Sequence, residues 1–227
     1  MPELLQLQSL PLFPLGTVLY PDGVLPLRIF EVRYLDMINK CHKSGAPFGV
    51  VALTEGSEVR QLKTSADADS PPSGDAFAQE VFTDVGTLAT ITTLTRPQAG
   101  LIMVQCVGTQ RFRITRREKL KYGLWVGDVD LLPPDAAVEI PPDLQVTANL
   151  LGQVIQNLQG KGMPPEQLPF GKPYRLDEGG WVANRWCELL QLPPELKHRL
   201  MALESPLVRL ELVHDILVRA GIAKLDP

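Results

Sequence analysis

Apolar residues crowd the stretch from Leu10 to Tyr34, LPLFPLGTVLYPDGVLPLRIFEVRY, with too few polar interruptions for a solvent-facing helix. Pro11, Pro14, Pro21 and Pro26 recur at intervals that no helix survives, because each removes a backbone donor and crowds the preceding turn. The pattern predicts an extended, bent and largely buried segment. Pro21-Asp22-Gly23 is turn chemistry, with proline presetting φ and glycine accepting a positive one. Extended arms meet there: a first strand over Leu4 to Leu7 leading into the proline-rich run, and a second over Val24 to Ile29. At Phe30 the period changes. Tyr34, Ile38 and Cys41 recur at helical spacing, with Glu31 in the first turn, where the helix dipole favours a carboxylate. A helix is predicted from Glu31 to about Lys43, closed by Ser44-Gly45 ahead of Pro47, and then a strand over Phe48 to Leu53.

Between Ser65 and Gly74 the chain is Ser, Asp, Ala, Gly and a Pro-Pro pair with almost no large apolar residue, so it is read as a mobile surface loop. Strands follow over Gly86 to Thr95, Leu101 to Val107, Gln110 to Thr115 and Leu124 to Leu132, with Arg96 to Gly100 as a hairpin connection. Alternation around Arg111 sets Arg111 and Arg113 on one face and Phe112 and Ile114 on the other, one wet and one core. Short strands around one early helix suggest a closed or nearly closed barrel, which also removes exposed edges.

Pro133-Pro134 and Pro141-Pro142 bracket a stretch without periodic signal, which places a boundary there. The expected organisation is a β-rich subdomain over 1–132, a Pro-rich connection over 133–143 and a helical bundle over 144–227. Leu144, Leu151, Val154, Ile155 and Leu158 stripe one helix, ended by Gly160 and Gly162. Trp181 to Leu190 and Pro194 to Leu203 give two more, and Ser205-Pro206 opens a last one as N-cap and N1. Leu207, Leu210, Leu217 and Val218 supply its buried face. The fold class is α+β, mainly β in the first half.

The ordered set Leu10-Pro-Leu-Phe-Pro-Leu-Gly16, Pro21, Gly23, Pro26, Leu27, Phe30, Glu31, Arg33 and Tyr34 resembles the start of the Lon substrate-binding domain. That domain is the N-terminal region of Lon proteases and also occurs as a free-standing bacterial protein. The likeness continues through Phe48-Gly49-Val50-Val51, Val85-Gly86-Thr87, Gly108 and Arg111-Phe112-Arg113, and departs in the longer, low-complexity stretch Lys63 to Gln79. It implies a PUA-like pseudo-barrel followed by helices, and a module that binds polypeptide.

The formal charge of −4 argues against a surface built wholly for nucleic acid and against a cationic membrane binder. No apolar run reaches bilayer length and no signal segment opens the chain, so a cytoplasmic protein without a membrane partner is expected. Cys41, Cys106 and Cys187 are odd in number and far apart, the usage of reduced thiols, with no metal-ligand spacing. Gly160-Lys161-Gly162 lacks the spacing and hydroxyl of a phosphate loop, and no Gly-x-Ser-x-Gly, His-Glu-x-x-His or Cys-x-x-Cys occurs. His42, His198 and His214 are isolated; His214 beside Asp215 reads as surface or packing. No catalytic residue, metal or cofactor is expected, and an enzyme of unrecognised type is the least favoured class.

Binding features remain. An apolar polypeptide, or a protein partner, needs aromatic anchors, and Phe13, Tyr20, Phe30, Trp181 and Trp186 are the candidates. Tyr20 leads them, since it precedes a stiff turn and its hydroxyl tolerates water; Phe30 also reads as a pin between helix and barrel. The alternative is a PUA-like RNA binder using Arg111, Arg113, Arg116, Arg117, Lys119 and Lys121, six cations in eleven positions. Without interleaved stacking aromatics, that run reads better as a solvated face and a charged hairpin loop.

Overall fold

The computed structural model describes residues 5–55, 80–161 and 170–223. The expected loop Ser65 to Gly74, the low-complexity stretch Lys63 to Gln79 and the Gly162 helix stop lie outside the described residues. The chain divides into two compact units, Met1–Pro21 with Leu25–Pro133, and Asp22–Val24 with Pro134–Pro227.

The first unit is a ring of strands with one helix. β1 (Gln6–Leu15) runs parallel to β3 (Phe48–Glu55) and antiparallel to β6 (Trp125–Leu131). β4 (Val81–Gln98) pairs with β3 and with β5 (Leu101–Lys119), and β5 pairs with β6 to close the ring; β2 (Val24–Ile29) adds beside β5. β1 shows why its sequence lacks alternation. Leu10 and Leu12 point into the ring with Val51, Phe82, Phe112 and Val129, while Phe13 and Leu15 point into a second core beneath α1 (Val32–Ser44). Its prolines fit because β1 pairs with β6 from Gln6 to Leu12 and with β3 from Leu12 to Leu15. Pro11 and Pro14 each sit where only one neighbour is paired, so the missing N–H costs no ladder bond.

Several expectations change in detail. Leu101 to Val107 and Gln110 to Thr115 are one strand that continues to Lys119, so Arg116 to Lys119 are ladder residues opposite Asp128 to Trp125. β4 extends to Gln98, which leaves Ala99 and Gly100, at φ 75°, as the turn. Glu31 is the N-cap of α1 and makes no capping bond; its carboxylate turns to Arg33 instead. Gly45, at φ 68°, caps the other end as expected. Arg111 is not on a wet face. Its ladder partner Thr87 donates to the Leu19 carbonyl at 2.7 Å, and a Cβ at neighbouring Gly108 would run into the Tyr20 carbonyl, so the backbone of Leu19 and Tyr20 covers that side.

The second unit holds a 3-10 turn at Pro142–Leu144, α2 (Gln145–Gly160), α3 (Gly179–Leu189), α4 (Pro194–Ala202) and α5 (Pro206–Arg219). Ser205 caps α5 by accepting from the Val208 amide. Besides its leucines, α5 buries Arg209, which donates to the Leu200 and Leu203 carbonyls, to Asn184 and to Asp135. A fully sunk guanidinium is tolerated only when its donors are spent in this way. Among the described residues no helix is long and apolar enough to cross a membrane.

Candidate functional site

Four of the large apolar side chains that stand in solvent converge in the first unit: Phe30 (54% exposed), Val32 (73%), Leu120 (43%) and Tyr122 (78%). They rim a cleft of about 830 Å³. Its floor is Met37, Cys41, Leu124 and Val126, and Ser9 and Pro11 of β1 also line it. That volume is within the range of sites that hold a drug-sized ligand or a short run of side chains. A methionine floor adapts to more than one apolar shape.

Local sequence explains the placement. α1 buries Arg33, Tyr34, Met37, Ile38 and Cys41, so Val32 falls on its outer side, and Phe30 precedes its N-cap Glu31. On the opposite wall, Leu120 donates to the Leu124 carbonyl at 2.8 Å and Gly123 to the Leu120 carbonyl at 2.7 Å. Gly123 takes φ 80°, which a side chain rarely adopts, and the tight turn lifts Tyr122 outward.

Arg33 joins the walls from below. Its Nε donates to Glu31 at 3.0 Å, Nη1 to the Gly123 carbonyl at 2.7 Å and Nη2 to Glu80 at 2.9 Å, and its guanidinium lies 4.4 Å over the Tyr34 ring. Glu80 also accepts from Trp125 Nε1 at 2.7 Å and pairs with Lys119 at 3.1 Å. Burial alone would push the Glu80 carboxyl up, but the hydrogen bonds from Arg33 and Trp125 and the Arg33 charge outweigh it and hold Glu80 below its ordinary value. Burial pushes the Cys41 thiol up, away from the reactive thiolate.

The sequence-derived aromatics are mostly elsewhere. Of the five, only Phe30 lines this cleft. Phe13 is buried, stacked on Tyr34 at 3.9 Å and tilted against Phe48 at 6.2 Å. Tyr20, expected as a half-wet anchor, is fully enclosed, because its stretch lies flat over Gly108 and Thr87. Trp181 and Trp186 are core residues of the second unit: Trp181 lies 6.3 Å from Tyr174 and 5.5 Å from the Arg185 guanidinium, and Trp186 donates to the Thr147 carbonyl at 2.9 Å. Near them the largely buried Glu188 carboxyl is pushed up to about 7 by desolvation, against the attraction of Arg185.

The cation run is not assembled on one face. Arg111 is buried, and Arg116 pairs with Glu118 at 3.3 Å. Arg117 donates to the Phe82 carbonyl at 3.1 Å, lies 3.5 Å from Asp84 and covers the Phe82 ring. Lys119 spans Glu80 and the Trp125 ring, while Arg113 and Lys121 are exposed. Sequence reasoning missed Val32, Leu120, Tyr122 and Arg33. Tyr122 carried a usable signal, an aromatic between Lys121 and Gly123 where solvent-facing turn residues were expected.

The architecture has close counterparts. The Lon N-terminal domain protein from Xanthomonas campestris is 29% identical, with a TM-score of 0.69 over 92% of this chain and 98% of that one. The N-terminal domain of the Mycobacterium avium complex Lon protease, 16% identical, shares the fold at a TM-score of 0.56 over 92% of this chain and 97% of its own. No curated protein matches the chain significantly. A family model described as the ATP-dependent protease La (LON) substrate-binding domain matches residues 9–219, which takes in both walls of the cleft and the helices beyond; the chain belongs to that family.

Proposed function

We propose that this protein is a non-catalytic, cytoplasmic module that captures extended apolar polypeptide segments, and that the cleft between α1 and the Leu120–Leu124 turn receives them. The observation that carries the reading is the convergence of Phe30, Val32, Leu120 and Tyr122 on one concave surface of the ring. Exposed apolar patches of this kind are rare on a surface that binds nothing. Membership of a substrate-binding family favours polypeptide as the occupant.

The charges around the cleft favour an uncharged occupant. Glu31 is paired with Arg33 and Glu118 with Arg116, and Asp36 and Lys40 stand one turn apart on α1. Neither sign dominates. Recognition therefore rests on apolar contact between side chains.

Binding of a labelled apolar peptide and of labelled single-stranded RNA at low and high salt tests this. The peptide is expected to bind with an affinity that salt barely changes, and RNA only weakly. RNA bound tightly with a steep salt dependence, and no peptide bound, would overturn the reading in favour of phosphate recognition.

A further inference from the structure

Arg33 is an expensive residue to place under an apolar cleft. Only 3% of its side chain is exposed, so every donor must find a partner inside the protein. A lysine carries its three donors on a single nitrogen; the guanidinium fork spreads its donors over three nitrogens and reaches three different elements in fixed directions. Those elements are the N-cap of α1 through Glu31, the turn that carries Tyr122 through the Gly123 carbonyl, and the start of β4 through Glu80. Two of the three are the walls of the cleft.

The turn's own hydrogen bonds, between Leu120, Gly123 and Leu124, fix its shape but not its distance from α1. The 2.7 Å bond from Arg33 to Gly123 supplies that distance, one residue from Tyr122. Glu80 in turn holds Trp125 and Lys119 just past and just before the turn. Resting on the polypeptide reading above, we propose that Arg33 is a positioning residue that sets the width of the cleft, so that the site selects segments presenting a bulky apolar side chain over segments presenting a small one. Pre-set walls let a large side chain fill the gap without first ordering the turn, which is where affinity is otherwise lost. Walls that can part accept small and large side chains with similar affinity.

The test uses the full chain and three peptides identical except for a central Trp, Leu or Ala. The native protein is expected to prefer Trp to Ala by about tenfold or more, the scale of burying one large side chain. In Arg33→Lys the preference falls to about threefold or less. A purely structural role lowers the fraction of competent protein, which weakens all three peptides equally and leaves the ratio unchanged. Glu80→Gln leaves one acceptor oxygen to be shared among Arg33, Trp125 and Lys119 where the carboxylate offers two, which loosens the fork and both flanks of the turn, and it is read in the same way. It decides the question if Arg33→Lys fails to fold.

A retained ratio in the folded variant overturns the inference while leaving the polypeptide reading intact. Failure of both variants to fold overturns it too, by making Arg33 a folding residue. No binding of any peptide by the native protein overturns the polypeptide reading and this inference with it.

Discussion

A guanidinium and a carboxylate buried together make the stability of the ring unit depend on pH. Glu80 is held below the ordinary carboxylate range of about 4.3, by Arg33 and Trp125 acting against desolvation. A lowered folded value means that the folded protein binds the proton less readily than the unfolded chain does. The stabilisation is therefore complete above about pH 4.3 and is lost as pH falls through the lower folded value. Glu80→Gln should flatten that loss. Urea midpoints measured from pH 6 to pH 3 are expected to fall more steeply for the native protein than for the variant; parallel curves would contradict the assignment. The sequence placed Glu31 and Arg33 in a family pattern but could not reveal this network. Glu80 is 47 residues from Arg33, and nothing local announces a partner so distant.

At the scale of elements, periodic signals were legible and connections less so. The limits of α1, α4 and α5 follow from Gly45, Pro194 and Ser205-Pro206, each of which acts within one turn of backbone. Ser205→Ala removes the acceptor for the Val208 amide and is expected to cost about 1 kcal/mol, read as a lowered denaturation midpoint. No change would mean that solvent replaces the cap. β5 was harder to read, because a long strand shared between β4 and β6 carries its small and polar residues internally and looks like two short strands. The buried Arg111 misled for a related reason. Alternation sorts residues onto faces, but what covers a face is decided by a distant segment, here Leu19 and Tyr20.

For the whole molecule, the family and its α+β architecture were readable from the order of prolines, glycines and aromatics, while the cleft was not. Tyr20 and the tryptophans looked like anchors because aromatic residues beside turns or in clusters suit either a core or a site, and burial chooses between them. The cleft depends instead on Val32, Leu120 and Tyr122, ordinary residues in sequence that the ring brings opposite Phe30. The double substitution Phe30→Ala with Tyr122→Ala tests the central claim directly, since both side chains stand largely in solvent and their loss should leave the thermal midpoint nearly unchanged. Fluorescence anisotropy of a labelled apolar peptide is expected to show binding weakened by about tenfold or more in the folded variant. Unchanged affinity, with the fold intact, would mean that polypeptide does not bind in this cleft.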